Sequence, residues 1–139
     1  MENIIQFEGA AFWVDQNIIY CTIKRGFVFQ SFNGKDIETI ANIIKRLSNG
    51  KFLPMLINLK GLDNLEALKS FNLFSPCSLI GITVLSRSFV VKSFIIKMFL
   101  VLSSIVDGNA FWNHIYVRVE EATGFCNEKI KELNMINEI

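Results

Sequence analysis

The stretch FLPMLINLKGLDNLEALKSF, residues 52–71, decides the fold. Its first half is a nearly continuous apolar run over residues 53–59, without the alternation of a half-exposed strand. Such a run is typical of a strand that is covered on both faces, as in a parallel sheet between helices. Pro54 has no amide hydrogen for a sheet ladder, so we expect the paired part of the strand to begin after it.

The second half of this stretch predicts a helix that begins at a capping box. Asp63 can accept a hydrogen bond from a free amide of the first turn, and Glu66 can reach back to the amide of Asp63. Apolar residues then recur at helical spacing, at Leu62, Leu65, Leu68 and Phe71. The stretch as a whole therefore predicts a strand, a short loop and a helix.

The residues upstream predict an antiparallel hairpin and a helix. Runs rich in β-formers at residues 12–14 and 18–23 flank a turn at residues 15–17. Apolar residues repeat at helical spacing over residues 37–47, and Gly50 is placed to take a left-handed conformation after the helix. Residues 1–10 are expected to be a loosely held lead-in.

Downstream, residues 79–85 predict a second buried strand. Ser86, Arg87 and Ser88 then predict the cap of an apolar helix over residues 89–106. The alternation of strands and helices indicates an α/β sheet with crossover connections.

The apolar helix is close in length to a membrane span, but it contains two lysines. Lys92 and Lys97 would each cost about 2.5–3.5 kcal/mol near a bilayer centre. We therefore expect a core helix with an apolar outer edge, on which Ile96 and Phe99 flank Lys92. That edge is the predicted contact surface.

The end of the chain predicts a strand at residues 114–119 and a helix that begins at Glu120-Glu121, with residues 134–139 as a tail. The inner stripe of this helix is Ala122, Phe125, Cys126, Ile130 and Leu133. The chain therefore predicts one α/β domain over residues 11–133. Its mixed β-sheet has an N-terminal antiparallel hairpin followed by alternating helices and strands.

Composition and charge narrow the classes of function that this chain could have. The 139 residues are 51% hydrophobic and carry 14 basic and 13 acidic side chains, a formal charge of +1. The charges are mixed rather than gathered in a basic stripe, which disfavours nucleic-acid binding. Three widely spaced cysteines, Cys21, Cys77 and Cys126, are expected to be free thiols in a reducing cytoplasm. No signal peptide is recognisable at the start.

The sequence offers little reactive chemistry. His114 is the one histidine, and a lone histidine is more often structural than catalytic. The spacings of metal sites, of a phosphate-binding loop and of a nucleophile elbow are missing from the sequence. We therefore expect no catalytic, cofactor-binding or metal-binding residues and a protein that is not an enzyme.

The order of elements resembles the STAS domain of anti-sigma-factor antagonists, and more closely the SpoIIAA-like group, over residues 11–133. The resemblance rests on the hairpin, the helix ending in Asn49-Gly50-Lys51, the strand Leu53-Pro54-Met55-Leu56-Ile57-Asn58, the Ser/Arg-started apolar helix, and Ile115-Tyr116-Val117 leading to Glu120-Glu121-Ala122. It implies a bacterial, cytoplasmic regulatory domain that binds protein partners.

Two positions depart from the family pattern. Related sequences commonly end the central strand in Asp, where this chain has Asn58, and carry a phosphorylatable serine at the next helix start, where it has Asp63-Asn64. A phospho-switch of the antagonist type is therefore not expected.

Two functions are predicted. The first is protein interaction or self-association, for example as a homodimer. The second is binding of an apolar ligand or a membrane surface, peripheral to the membrane, with Phe89, Phe94, Phe99 and Leu100 lining the site. The candidate interaction surface comprises Asn58, Asp63, Asn64, Ser86, Arg87, Ser88, Lys92, Ile96 and Phe99.

Overall fold

The structure is a computed structural model, and it describes residues 4–24, 34–62, 83–107 and 114–137, without the side chains of residues 103, 104, 106 and 107. The elements within these ranges, in chain order, are β1 (Ile5–Phe7), β2 (Ala10–Asp15), β3 (Ile18–Ile23), α1 (Gly34–Ser48), β4 (Met55–Asn58), β5 (Arg87–Val90), α2 (Phe94–Asp107), β6 (Ile115–Tyr116) and α3 (Val119–Asn137). Cys77 and the predicted helix that begins at Asp63 lie outside the described residues.

The six described strands form one mixed sheet in the order β1-β2-β3-β4-β5-β6. Strands β1, β2 and β3 pair antiparallel, and strands β3 to β6 pair parallel. The prediction of an α/β domain with an N-terminal hairpin and a mixed sheet is confirmed. Because parallel strands need crossover connections, the helices lie on the faces of the sheet.

The predicted hairpin is confirmed, with a tighter turn than expected. Asp15 still pairs with Ile18, so that Gln16 and Asn17 alone form the loop. Both have positive φ, 49° and 65°. Positive φ at both central residues defines a type I′ turn, whose twist matches that of the flanking strands.

The first residues are more ordered than the predicted lead-in. Ile5–Phe7 is a strand that pairs with β2, joined to it by a turn in which Glu8 and Gly9 both have positive φ, 56° and 106°. Ile5 and Phe7 alternate with exposed Gln6 and pack against the core. This period of two is a strand signal that extends only three residues, which is why composition alone did not mark it.

Helix α1 and strand β4 agree with prediction at their ends. Asn49 and Gly50 take left-handed conformations, with φ of 52° and 81°, and the amide of Lys51 donates to the carbonyl of Ser48 at 3.0 Å. These residues end the helix as the sequence predicted. Strand β4 begins at Met55, directly after Pro54.

The strand that pairs with β4 in the described residues lies after the predicted range of residues 79–85, of which residues 79–82 are outside the described residues. Residues 83–85 are not in a strand, and Arg87–Val90 forms β5 between β4 and β6. Ser86, Arg87 and Ser88 therefore do not cap a helix, and α2 begins at Phe94 rather than at residue 89. A short apolar run looks the same in a buried strand and a buried helix, and the β-branched Val90 and Val91 favour the strand.

The last strand is also shorter than predicted, because only Ile115 and Tyr116 pair with β5. Helix α3 begins at Val119 and continues to Asn137, through most of the expected tail. Neither proline nor glycine occurs after Gly124, so the sequence provides no stop where the tail was placed.

Side chains from the two faces of the sheet form two buried clusters. The larger one joins β1 to β6 with α1 and with Leu100 of α2. The smaller one joins Ile18, Leu56 and Val90 to Ala122 and Cys126 of α3. Helices α1 and α2 therefore cover one face, and α3 covers the other.

Candidate functional site

Helix α2 carries an exposed apolar stripe. Its members and their exposed fractions are Phe94 (63%), Ile95 (77%), Met98 (39%), Leu102 (55%) and Ile105 (71%). At 3.6 residues per turn, these five side chains fall within an arc of about 100°. They form one continuous surface, called here the α2 stripe. Single exposed apolar residues are ordinary, whereas a contiguous apolar patch of several hundred Å² is often functional.

The position of α2 follows from its start and its inner face. Ser93 caps the helix, because its Oγ accepts from the amide of Ile96 at 3.3 Å and its carbonyl accepts from the amide of Lys97 at 3.1 Å. Leu100 is fully buried in the larger core cluster, and Ile96 and Phe99 pack against that cluster. The inner face anchors the helix, so the opposite face is presented outward.

The structure places the predicted contact-edge residues Ile96 and Phe99 on the inner side of this helix. Ile96 and Phe99, which were expected to flank Lys92 on the outer edge, face the core. Lys92 is exposed but precedes the helix. The sequence also grouped Phe89 and Leu100 with Phe94 around a ligand, yet Phe89 and Leu100 are buried and Phe94 is exposed.

The error came from the predicted helix start. A helix that begins at residue 89 includes Phe89 and Val90, which belong to β5. On that helix the lysines define the polar side. A helical wheel begun at Ser93 would have shown that residues 94, 95, 98, 102 and 105 share a face. The sequence could not show that this apolar face points away from the sheet.

The other predicted site residues are divided between two edges of the sheet. Asn58 ends β4 at the carboxyl edge, where its Oδ1 accepts from the amide of Lys60 at 3.0 Å and shapes the turn that follows. Arg87 begins β5 at the opposite edge, half-buried, with Ser86 and Ser88 buried beside it. The two serines are inside the fold and do not contribute to a surface. Asp63 and Asn64 lie outside the described residues.

The described thiols are poor nucleophiles. Burial raises the pKa of Cys21 far above its ordinary value, and burial raises the pKa of Cys126 against a smaller opposing effect of its hydrogen bond with Ser88. Both are free and buried. A thiol that stays protonated and is shielded from solvent does not attack a substrate.

His114 lies in an aromatic and cationic setting. Its ring stacks on Phe125 at 4.2 Å between centroids, and Lys129 Nζ lies 5.3 Å from the centre of the same Phe125 ring. Partial burial, then the charges of Lys129 and Arg87, lower the pKa of His114. Among the described residues, no carboxylate contributes to that shift.

A shallow cleft of about 450 Å³ lies between the start of β4 and the end of α3. Its lining residues are Asn17, Lys51, Phe52, Leu53, Ile130, Leu133, Asn134 and Asn137.

Among the described residues, no group of three His, Cys, Asp or Glu side chains is arranged to hold a metal ion. No helix within the described ranges is long and apolar enough to cross a membrane.

Comparisons with protein-family models, with curated proteins and with solved structures give no match to this chain. Among the described residues, the α2 stripe holds five of the nine exposed large hydrophobic side chains.

Proposed function

We propose that this protein is a non-catalytic interaction domain that binds a protein partner through the α2 stripe. One observation carries the proposal: five large apolar side chains are exposed along one face of a helix whose other face is anchored in the core. Leaving that area in water is unfavourable, by about 25 cal/mol for each Å² that could be buried. A partner that covers the stripe removes this cost.

The surrounding architecture supports a regulatory rather than a catalytic role. The hairpin, the parallel strands and the closing helix follow the order that resembles STAS and SpoIIAA-like domains. The two described thiols are buried, and so are the two serines that flank Arg87. These four groups therefore lie inside the fold, where they do not meet a substrate in solvent.

The test is capture of partners by the purified full chain and by matched variants. Leu102→Glu and Ile95→Glu place a charge on the α2 stripe, whereas Met135→Glu makes the same change at an exposed site of α3. We expect the first two variants to lose bound partner by at least about tenfold, since burying an unpaired carboxylate is costly. The third should bind like wild type. Equal capture by all four proteins would contradict the proposal.

A membrane surface is the second candidate, and the exposure of Lys92 just before α2 favours it. A cation beside an exposed apolar helix face can contact anionic headgroups while the face enters the interface. Flotation with vesicles of neutral and of anionic lipid tests this directly. Wild type that floats with anionic vesicles while Leu102→Glu does not would support it, and a wild-type protein that stays at the bottom with both would exclude it.

A further inference from the structure

We infer that the partner of the α2 stripe is a second copy of this chain, whose α2 packs antiparallel against the first across a two-fold axis at the level of residue 100. The inference rests on the proposed function, because it assigns the occupant of that same surface. It follows from the spacing, the area and the charge of the stripe.

The spacing of the stripe is that of a helix–helix seam. Ile95, Met98, Leu102 and Ile105 are separated by three, four and three residues, which is the a/d repeat of helices that pack side by side. Phe94 widens the seam at its first turn. A flat ligand or an extended peptide requires no such repeat, so the expected occupant is another helix.

The seam is also its own complement. In an antiparallel pair centred at residue 100, Ile95 of one copy lies opposite Ile105 of the other, and Met98 lies opposite Leu102. In a two-fold contact, if residue i of one copy contacts residue j of the other, then residue j of the first copy also contacts residue i of the second. This pairing satisfies that rule along the whole seam. Leu100 itself is buried in its own core, so the axis passes on the outer side between Met98 and Leu102.

The exposed area suits a weak but specific dimer. The five exposed fractions, applied to side chains of roughly 180–200 Å² each, correspond to about 550 Å² of apolar surface per copy. If two copies covered the stripe completely, they would bury about 1,100 Å², close to the ~1,000 Å² expected of a biological interface. A contact at this lower limit of size predicts a weak dimer.

Charge favours an identical partner over a selected foreign one. The five members of the stripe are uncharged, and the one lysine of α2, Lys97, is not among them. The stripes of two copies therefore bring no like charges together. Different helices usually select one another through complementary charges. An uncharged stripe gives no such preference for a different partner.

Sedimentation of the full chain over about 1–200 µM tests the inference. We expect wild type to shift from monomer to dimer across this range and Leu102→Glu to weaken the dimer by at least about tenfold, because each Glu would lie near the axis without a partner. Met135→Glu is the matched control and should dimerise like wild type. Unchanged circular dichroism would show that the variants fold.

Cysteine pairs test the orientation, in a Cys77→Ser background with the buried Cys21 and Cys126 retained. Ile95→Cys together with Ile105→Cys should cross-link two chains on oxidation, whereas either change alone should not. The two positions are about 15 Å apart along one helix, too far for a disulfide within a chain. Cross-linking by Ile95→Cys alone, at the rate of the double variant, would overturn the antiparallel arrangement.

Failure of this inference is separable from failure of the proposed function. Wild type that remains monomeric at about 200 µM excludes a second copy as the partner of the stripe. If Leu102→Glu then still loses a captured protein that Met135→Glu retains, the stripe binds a different chain and the proposed function stands. If neither dimerisation nor capture depends on the stripe, both proposals fail.

Discussion

At the scale of single residues, Ser86 and Ser88 show how different two buried hydroxyls can be. Among the described residues, Ser86 Oγ is the buried side-chain oxygen without a hydrogen-bond partner. Ser88 Oγ lies 3.5 Å from both the carbonyl of Met55 and the sulfur of Cys126. No hydrogen bond compensates for the burial of the Ser86 hydroxyl, whereas the Ser88 hydroxyl makes two long and weak hydrogen bonds.

We therefore expect opposite effects of the same substitution at these two positions. Ser86→Ala should leave the free energy of unfolding unchanged or raise it by up to about 1 kcal/mol, because an unsatisfied polar group is removed. Ser88→Ala should lower it by about 0.5–1 kcal/mol, because its long hydrogen bonds are lost. Urea unfolding of the two variants measures both values. A larger loss in Ser86→Ala than in Ser88→Ala would show that Ser86 is paired in solution.

His114 makes stability depend on pH. Its pKa is lowered in the folded chain by partial burial and by the charges of Lys129 and Arg87, so the unfolded chain binds the extra proton more readily. The contribution of the neutral imidazole is therefore fully present above the unfolded pKa of about 6.5. It is lost as the pH falls from there through the folded pKa.

His114→Phe keeps an aromatic ring against Phe125 and removes the titration. We expect the free energy of unfolding of wild type to fall more than that of the variant when the pH is lowered from 7.5 to 5.5 in urea titrations, both values chosen about one pH unit from the unfolded pKa. Carboxylates titrate alike in both proteins and cancel in the comparison. Parallel pH profiles for the two proteins would contradict the assignment.

At the scale of elements, the start of α2 depends on one cap. Ser93→Ala removes the Oγ that accepts from the amide of Ile96. The loss should be about 1 kcal/mol, or about 3–5 °C in Tm for a chain of this size. Ser93→Asp keeps an acceptor and adds a favourable charge at the helix start, so it should retain the wild-type Tm. Equal Tm values for Ala and Asp would show that this contact does not support the helix.

The helices and strands also show which sequence signals were sufficient to predict where an element begins or ends. Pro54 restricts the backbone and Gly50 is free to take a positive φ, so both residues marked an element boundary correctly. The boundary between β5 and α2 has no such residue. Apolar side chains continue from Phe89 to Leu102 with few interruptions, and burial in a sheet or against a sheet requires the same hydrophobicity.

At the scale of the whole molecule, the class of fold could be predicted because alternating strand and helix signals survive errors of several residues at each boundary. The α2 stripe could not be predicted, because it depends on which face of α2 meets the sheet. Ile96 and Ile95 are chemically identical neighbours, yet the first packs on the core and the second is mostly exposed. Only the tertiary arrangement distinguishes them.

The borders of the described sheet have a consequence for how this protein meets its neighbours. Strand β1 has three residues and strand β6 has two, so each border offers few free backbone amides and carbonyls to an incoming chain. Growth by strand addition, the route to cross-β fibres, therefore has little template on either side. Assembly of this molecule should stop at small, closed complexes instead of continuing into polymers.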